Sequence, residues 1–317
     1  MNSKPLDVLI VNYNTAALLQ PMFDALRQAD AANQASFLVV DNASADDSLQ
    51  RLAEVCPEAL LVANPTNVGF GRANNQLVEH LQGKYALLLN TDAFLSADTL
   101  AKTLDYMENH PECGVLGVRL VGRDGVLQPC CRYFPTPLNI FAVRTGLGRF
   151  LPGLRMVDDM SWDHASVREC DWLPGCYYLV RREVIEQIGL FDPRYFLYFE
   201  EVDHCKRVKQ AGWKVVYYPH TTVVHIGGES SKSNAGVEST GRQVSTMQIE
   251  SELLYFRKHH GVAGLALHML LVSLGDAILV LKALIKRRWS SVAWAWRHTR
   301  TTWGLLFDTR FASRPTR

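Results

Sequence analysis

Seven cysteines occur in the 317 residues without a single C-x-x-C pair, and an odd number of thiols cannot all pair within one chain. No disulfide framework is marked by these spacings, and reduced thiols in a cytosolic compartment are expected. The adjacent Cys130 and Cys131 read as small buried hydrophobes, not as a redox centre. No secretory leader is expected, because Met1–Asp7 leads straight into a short apolar strand. The chain has no G-K-[ST] to make a P-loop and no G-x-G-x-x-G to make a dinucleotide fingerprint. Net charge is only +1, so bulk charge points to no polyanion, and no nucleic-acid partner is expected. A hydrophobic share of 48% with 21% charged residues leaves ample material for a core.

What is present is an alternation. Short apolar runs at Val8–Val11, Phe37–Val40, Leu60–Val62, Ala86–Leu89 and Val115–Val121 are separated by amphipathic stretches at Ala16–Ala29, Ser48–Val55, Arg72–Leu81 and Ala97–Asn109. That order predicts βαβ units and a parallel sheet, an α/β fold. Gly122–Gly125 reads as a hairpin turn, and Pro135–Ser166 as an irregular connection. A second cluster follows: strand Tyr177–Val180, helices Arg182–Ile188 and Glu200–Ala211, and strands Val215–Tyr218 and Thr222–His225. Gly227–Ser245 is polar, rich in Gly and Ser, and reads as a loop. The expected division is one domain over 1–245, with halves 1–121 and 122–245, and a helical region over 246–317.

In an open parallel sheet, ligands bind beyond the carboxyl ends of the strands, and polar residues collect there. The first strand ends in Asn12-Tyr13-Asn14-Thr15, the second in Asp41-Asn42-Ala43-Ser44, the fourth in Asn90-Thr91-Asp92. One such group alone is most simply a helix cap; three on one edge point to a binding crevice. Asn67–Asn75 adds a glycine turn (Gly69, Gly71) running into a helix, a geometry suited to a diphosphate. Further on, Phe196–His204 places Glu200, Glu201 and Asp203 in the first turn of a helix behind three aromatics. Acids there stabilise a helix N-terminus, but an aromatic platform beside carboxylates is also what a sugar requires.

In this order the blocks resemble the family 2 glycosyltransferases with a GT-A fold, particularly the bacterial rhamnosyltransferase-like branch. The resemblance covers Asp7–Ser231 and is carried by Val11–Asn14, Asp41–Ser44, Asn67–Asn75, Leu89–Asp92, Trp172–Val180, Phe196–Arg207 and His225–Ser230. It implies a Rossmann-like nucleotide-diphospho-sugar transferase, with residues 1–121 as the donor half and 122–245 as the acceptor and catalytic half. The implied activity is inverting transfer of a sugar, best assigned as L-rhamnose from dTDP-L-rhamnose, to a lipid-linked or polysaccharide acceptor of the cell surface. A UDP-sugar-using transferase and a non-catalytic sugar-nucleotide-binding scaffold are the alternatives. Carried over by position, the resemblance gives the nucleotide sugar to Asn12, Asn14, Asp41, Asn67, Gly69, Arg72, Asn75 and Asp92. Asp92 matches the metal-binding acid of the D-x-D element, and His225 the histidine that helps hold Mg²⁺ or Mn²⁺ with the diphosphate. Glu201 falls at the catalytic base, while Trp172, Gly175, Cys176, Glu200 and Asp203 fall at the acceptor site. Two departures stand out: Asn90-Thr91-Asp92 has one acid where D-x-D has two, and Glu200-Glu201 replaces a Glu-Asp pair.

Charge is distributed unevenly. Nine Lys and Arg lie from Lys282 onward with one acid, Asp308, which leaves 24 basic against 31 acidic residues before it. Val262–Leu281 is a 20-residue apolar run, followed by Lys286-Arg287-Arg288 and four of the seven tryptophans. That length could span a bilayer, but Trp and Arg together mark an interface. The expectation is an in-plane helix that holds the protein peripherally on the anionic cytoplasmic face of the inner membrane.

Overall fold

The computed structural model describes residues 4–151, 153–227 and 242–317, so most of the loop expected over Gly227–Ser245 lies outside the described residues. The chain packs as two units. One comprises Met1–Arg132, Met160–Pro193 and Glu200–Thr240, the other Tyr133–Asp159, Arg194–Phe199 and Gly241–Arg317. The strands are β1 (Leu6–Asn12), β2 (Ala35–Asp41), β3 (Leu60–Ala63), β4 (Tyr85–Asn90), β5 (Ala93–Leu95), β6 (Cys113–Val121), β7 (Arg168–Glu169), β8 (Tyr177–Arg181) and β9 (Lys214–His225). The helices are α1 (Ala16–Ala29), α2 (Ser48–Val55), α3 (Phe70–Gln76), α4 (Thr99–Asn109), α5 (Pro137–Thr145), α6 (Arg182–Ile188), α7 (Glu200–Gln210), α8 (Arg242–Ile285) and α9 (Trp289–Asp308).

All strands of the first unit join one mixed sheet in the order β3-β2-β1-β4-β8-β6-β9-β5, with β7 beside β9. From β3 to β4 the pairing is parallel, as the alternating elements predict. β1, β2 and β4 are near-continuous apolar runs because both faces are covered, and they are buried along almost their whole length, whereas the edge strand β3 is largely exposed. Beyond β4 the expectation fails. β8, buried at all five residues, inserts antiparallel between β4 and β6, so the fifth apolar run never meets the fourth. Periodicity reports which residues are buried, not which neighbour covers them. In register, Asn12 sits opposite Asp41 and Val11 opposite Asn90, so the polar strand ends line up on one edge.

The second unit begins earlier in the chain than residue 246. The stretch read as an irregular connection contains α5, which has a full capping box: Thr136 and Asn139 bond each other's backbone N–H, Pro137 opens the helix, and Gly146 closes it at φ 70°. α5 belongs with the C-terminal helices through one charge. Asp276, the only formal charge in the apolar run of α8, is buried. It accepts from Arg144 Nε of α5 at 2.7 Å, and from His298 Nδ1 at 2.9 Å and Thr299 Oγ1 at 2.7 Å of α9. Burial alone would raise its pKa, but the bonds from His298, Thr299 and Arg144 together lower it. α8 is broken at Gly261, whose φ of 67° and ψ of −164° suit glycine alone.

Removing one member of a buried ion pair costs about 3–5 kcal/mol, because the other charge is stranded. Asp276→Ala should therefore lower the urea midpoint of the full-length protein sharply, whereas Asp308→Ala, at an exposed position, should leave it nearly unchanged. A folded pKa held down means the Asp276 contribution is complete above about pH 4. It is lost only as pH falls through the depressed value.

Candidate active site at the strand ends

The ends of β1, β2 and β4 are tied by buried polar side chains. Asn12 Nδ2 donates to Asp41 Oδ1 at 2.7 Å and to Ser44 Oγ at 3.0 Å. The other Asp41 oxygen accepts from Ser44 N at 3.0 Å. Thr15 Oγ1 donates to Asn12 Oδ1 at 2.7 Å, which leaves it to accept from Thr91 Oγ1 at 2.9 Å. Both Asn12 and Asp41 are buried, and their hydrogen bonds order the loops that leave the strands. Asn14, at φ 53°, closes the rim by accepting from Ala45 N at 2.7 Å.

The Asn67–Asn75 turn hangs on the same frame. Asn42 Oδ1 accepts from Val68 N at 3.0 Å and its amide donates to Asn67 Oδ1 at 2.9 Å, which also takes the Gly69 N–H at 2.9 Å. Gly69 sits at φ 91°, where a side chain would be strained. The helix starts two residues earlier than periodicity predicts and ends at Gln76, before a 3₁₀ turn over Val78–His80. Asn75 exchanges two hydrogen bonds with the Phe191 backbone, at 2.7 and 3.0 Å, and Arg72 Nε donates to Pro193 O at 2.7 Å. These two polar side chains thus bind protein backbone.

Asp92 and His225, 133 residues apart in sequence, meet because β5 pairs antiparallel with β9 and sets Ala93 opposite His225. Gly227 N donates to Asp92 Oδ2 at 3.1 Å, which turns Oδ1 toward His225 Nε2 at 3.5 Å. Gln128 fixes the imidazole. Its amide nitrogen donates to His225 O at 2.8 Å, so its oxygen faces Nδ1 at 2.9 Å and that nitrogen carries the proton. Burial lowers the His225 pKa, while Asp92 opposes the shift. A neutral ring therefore directs the Nε2 lone pair at a carboxylate, an unfavourable pairing unless a cation lies between. Asp oxygen and His nitrogen bind divalent metals at about 2.0–2.2 Å, which puts two adjacent donors roughly 3 Å apart. The pair fits two sites on such an ion, leaving the rest to ligand oxygens. Among the described residues no third His, Cys, Asp or Glu joins them.

The three acids of α7 separate by environment. Asp203 is fully buried and receives Arg207 Nε at 2.8 Å; Glu200 is buried as well. Glu201 alone keeps partial access to solvent, and its Oε1 accepts from Gly175 N at 3.0 Å. Burial raises its pKa, partly offset by hydrogen bonds from its own and the Gly175 backbone and by the charge of Arg132. Trp172 and Cys176 are buried; the Trp172 ring lies under the Arg132 guanidinium at 4.7 Å. Just before α7, Tyr198 and Phe199 both hold positive φ, 71° and 68°, a strained backbone of the kind that collects at functional sites. Sequence reading missed Gln128 and Arg132, and it marked Asn42, Thr15 and Thr91 only as members of the strand-end groups. Each acts through a neighbour that only the fold supplies.

Parallel strand ends lined with polar loops and a lone acid facing a histidine form a crevice suited to a nucleotide diphosphate. Residues 7–129 match the family model for glycosyl transferase family 2. That match and the curated relatives support a family 2 glycosyltransferase, similar to rhamnosyltransferases. The chain is 29% identical over 239 residues to the N-acetylglucosaminyl-diphospho-decaprenol L-rhamnosyltransferase of Mycobacterium tuberculosis, covering 71% of this chain and 77% of that one. To the rhamnosyltransferase WbbL of Escherichia coli it is 27% identical over 175 residues, 52% of this chain and 63% of that. In fold it is similar to the mannosyltransferase PcManGT from Pyrobaculum calidifontis, solved with GDP-Man and Mn²⁺ (TM-score 0.56, 16% identity, 98% and 88% covered). It is likewise similar to GalNAc-T7, solved with UDP, GalNAc and Mn²⁺ (TM-score 0.56, 14% identity, 80% and 47% covered).

Gly175 is required by shape. A Cβ there would stand 2.7 Å from Glu201 Oε1 and 3.1 Å from its Cγ. Gly175→Ala should displace the carboxylate and cut kcat by tenfold or more, with donor Kd within twofold. Equal kcat in the variant would show that the Glu201 position does not matter to turnover.

Proposed function

We propose that this enzyme is an inverting transferase that moves L-rhamnose from dTDP-L-rhamnose to a prenyl-diphosphate-linked glycan at the cytoplasmic face of the membrane. The sugar and the lipid-linked acceptor rest on the Mycobacterium tuberculosis and Escherichia coli relatives. The catalytic part rests on one observation: Glu201 is the single acid of the α7 first turn that reaches solvent while burial holds its basicity up. An acceptor hydroxyl is a poor nucleophile until a base takes its proton in the transition state. Glu201 takes that proton as the hydroxyl attacks the anomeric carbon and the C–O bond to the diphosphate breaks on the opposite side. A divalent ion, Mg²⁺ or Mn²⁺, when bound by Asp92 and His225, supplies positive charge beside the departing diphosphate. Gln128 and Gly227 keep those two side chains aimed, and the Asn12–Asp41–Thr15–Thr91 frame shapes the nucleotide loops. Glu200 and Asp203 hold α7 in place.

The test is turnover of purified enzyme with a panel of nucleotide sugars and a lipid-linked acceptor, with and without chelator. dTDP-L-rhamnose should be the best donor, and better turnover with a UDP-hexose sinks the sugar assignment. Glu201→Gln should lower kcat by about 10²–10⁴-fold at little cost in donor affinity. The base must be ionised to work. Wild-type kcat should therefore fall as pH drops through a Glu201 pKa lying above the ordinary value of about 4.3, and Glu201→Gln should lose that acidic limb.

Membrane attachment rests on the second unit. α8 and α9 expose Leu267, Leu270, Leu274, Leu281 and Trp289, Trp296, Trp303 at helical spacing, with Leu270 63%, Ile285 75% and Trp296 70% accessible. A monomer that hides Asp276 and exposes this stripe is built for an apolar neighbour. Lys286, Arg287 and Arg288 at the turn between the helices are exposed, and each adds about 1 kcal/mol near anionic lipid. Co-sedimentation with phosphatidylglycerol vesicles should weaken in high salt without vanishing, and should fall at least tenfold in Leu270→Ser/Trp296→Ser. Undiminished binding of that double variant overturns the assignment of the surface.

A further inference from the structure

α8 beyond Gly261 and the C-terminal part of α9 enclose a groove of about 480 Å³, within the range of sites that hold small ligands. Its floor is Leu265, Met269 and Leu306, all buried, and its rim is Leu270, Trp303 and Phe311, all exposed. Leu270 and Trp303 also belong to the exposed apolar stripe, so the groove opens where that stripe meets its apolar neighbour. Two arginines, Arg257 and Arg310, are among the residues that line the same groove. Neither has a hydrogen-bond or ion-pair partner through its side chain among the described residues. Closing an apolar channel with two uncompensated arginines is poor design for a peptide or a second helix, since a charge left against an apolar partner stays unpaired. It suits one kind of molecule: a hydrocarbon chain that ends in phosphate, because guanidinium binds phosphate through paired N–H donors.

We propose that this groove holds the prenyl chain of the lipid-linked acceptor, with Arg257 and Arg310 taking its phosphate. The proposal rests on the lipid-acceptor reading above and adds where the lipid sits. It would make the second unit an acceptor-selecting device as well as an anchor. Chain occupancy excludes water from the floor, and the arginines discriminate a phosphate-bearing lipid from a neutral prenol of equal length.

The test uses the full-length protein in nanodiscs and a diazirine-bearing prenyl phosphate as probe. Photolabel should map to peptides containing Met269, Leu306 or Phe311. It should be displaced by unlabelled prenyl phosphate at least tenfold more effectively than by phosphatidylglycerol. Equal displacement by phosphatidylglycerol, or label confined to other segments, overturns the proposal. Ala266 also lines the groove and is exposed, so Ala266→Trp fills the channel without entering the core. It should raise KM for the prenyl-linked acceptor at least tenfold, leaving KM for the donor and for the same glycan on a short water-soluble chain unchanged. Arg257→Gln/Arg310→Gln should erase the preference for prenyl phosphate over prenol. If wild type turns over the prenyl-linked acceptor and Ala266→Trp matches it, the groove assignment fails while the transferase stands. If wild type transfers to the soluble glycan but never to a prenyl-linked one, the lipid-acceptor reading fails, and this proposal with it.

Discussion

The site depends on register. Asn12 stands opposite Asp41, and Val11 opposite Asn90, so three loops leave the sheet at one level. A shift of one residue would turn every side chain to the other face, and the polar triplets would no longer share an edge. What opposes slippage is the apolar content of β1, β2 and β4, which are buried over most of their length and carry polar side chains only near their ends, at Asp7 and Ser36 and at the last positions. The hydrogen bonds from Asn12 to Asp41 and from Thr91 to Thr15 then lock the ends together at 2.7 and 2.9 Å. Buried polar groups of this kind must be fully satisfied to be stable, and a satisfied set leaves the loops little freedom. Order in the loops is therefore a by-product of order in the core.

The same logic explains why one acid of α7 is singled out. Acids in a first turn favour the helix macrodipole, and Glu200, Glu201 and Asp203 could all serve that end. Asp203 is neutralised by Arg207, whose other nitrogens bind the Ile188 and Leu190 carbonyls at 2.8 and 2.5 Å, so this pair fastens α7 to the end of α6. Among the described residues Glu201 has no ion-pair partner; backbone N–H groups, its own and that of Gly175, aim it. Such donors offset only part of the effect of burial, so the carboxylate keeps its basicity. A proton acceptor requires that balance, and a helix cap does not.

Legibility followed range. The first four strands, the helices between them and the strand-end triplets could be read from the sequence, because burial on both faces and turn chemistry leave local marks. The insertion of β8 between β4 and β6 left none: Tyr177–Val180 reads as a strand whichever partner it takes. Asp92 and His225 could be named by resemblance, but Gln128, which fixes the tautomer that makes His225 a donor of electrons, is a lone polar residue after a hairpin. Some residues expected at the ligand also make hydrogen bonds that hold neighbouring backbone in place. Asn75 and Arg72 are bound to the backbone of Phe191 and Pro193, more than a hundred positions away, a pairing that spacing cannot announce. α5 was missed for the opposite reason. Its signals, Thr136, Pro137 and Gly146, are local and strong, but the surrounding prolines and glycines read as disorder of pattern.

The second unit buries a core that includes Leu253, Phe256, Leu265 and Met269, yet it also draws a carboxylate inside and leaves large apolar residues exposed. In water, a helical hairpin gains most by burying its large apolar residues and leaving charge outside. Here Asp276, His298 and Arg144 are drawn inward, with four hydrogen bonds on one carboxylate counting both from Arg144, while tryptophans at 289, 296 and 303 face out. Taking an ion pair out of water costs several kcal/mol per ion before any attraction is recovered. A fold for aqueous surroundings has no reason to accept that cost while spending its best apolar area on solvent. If the outer surface lies in the apolar boundary of a bilayer, both choices become favourable together. The tryptophans gain burial from lipid, and the carboxylate is safer paired inside than exposed to hydrocarbon. The basic turn at Lys286–Arg288 then sits where headgroups are, in the only part of the hairpin that combines dense positive charge with exposure.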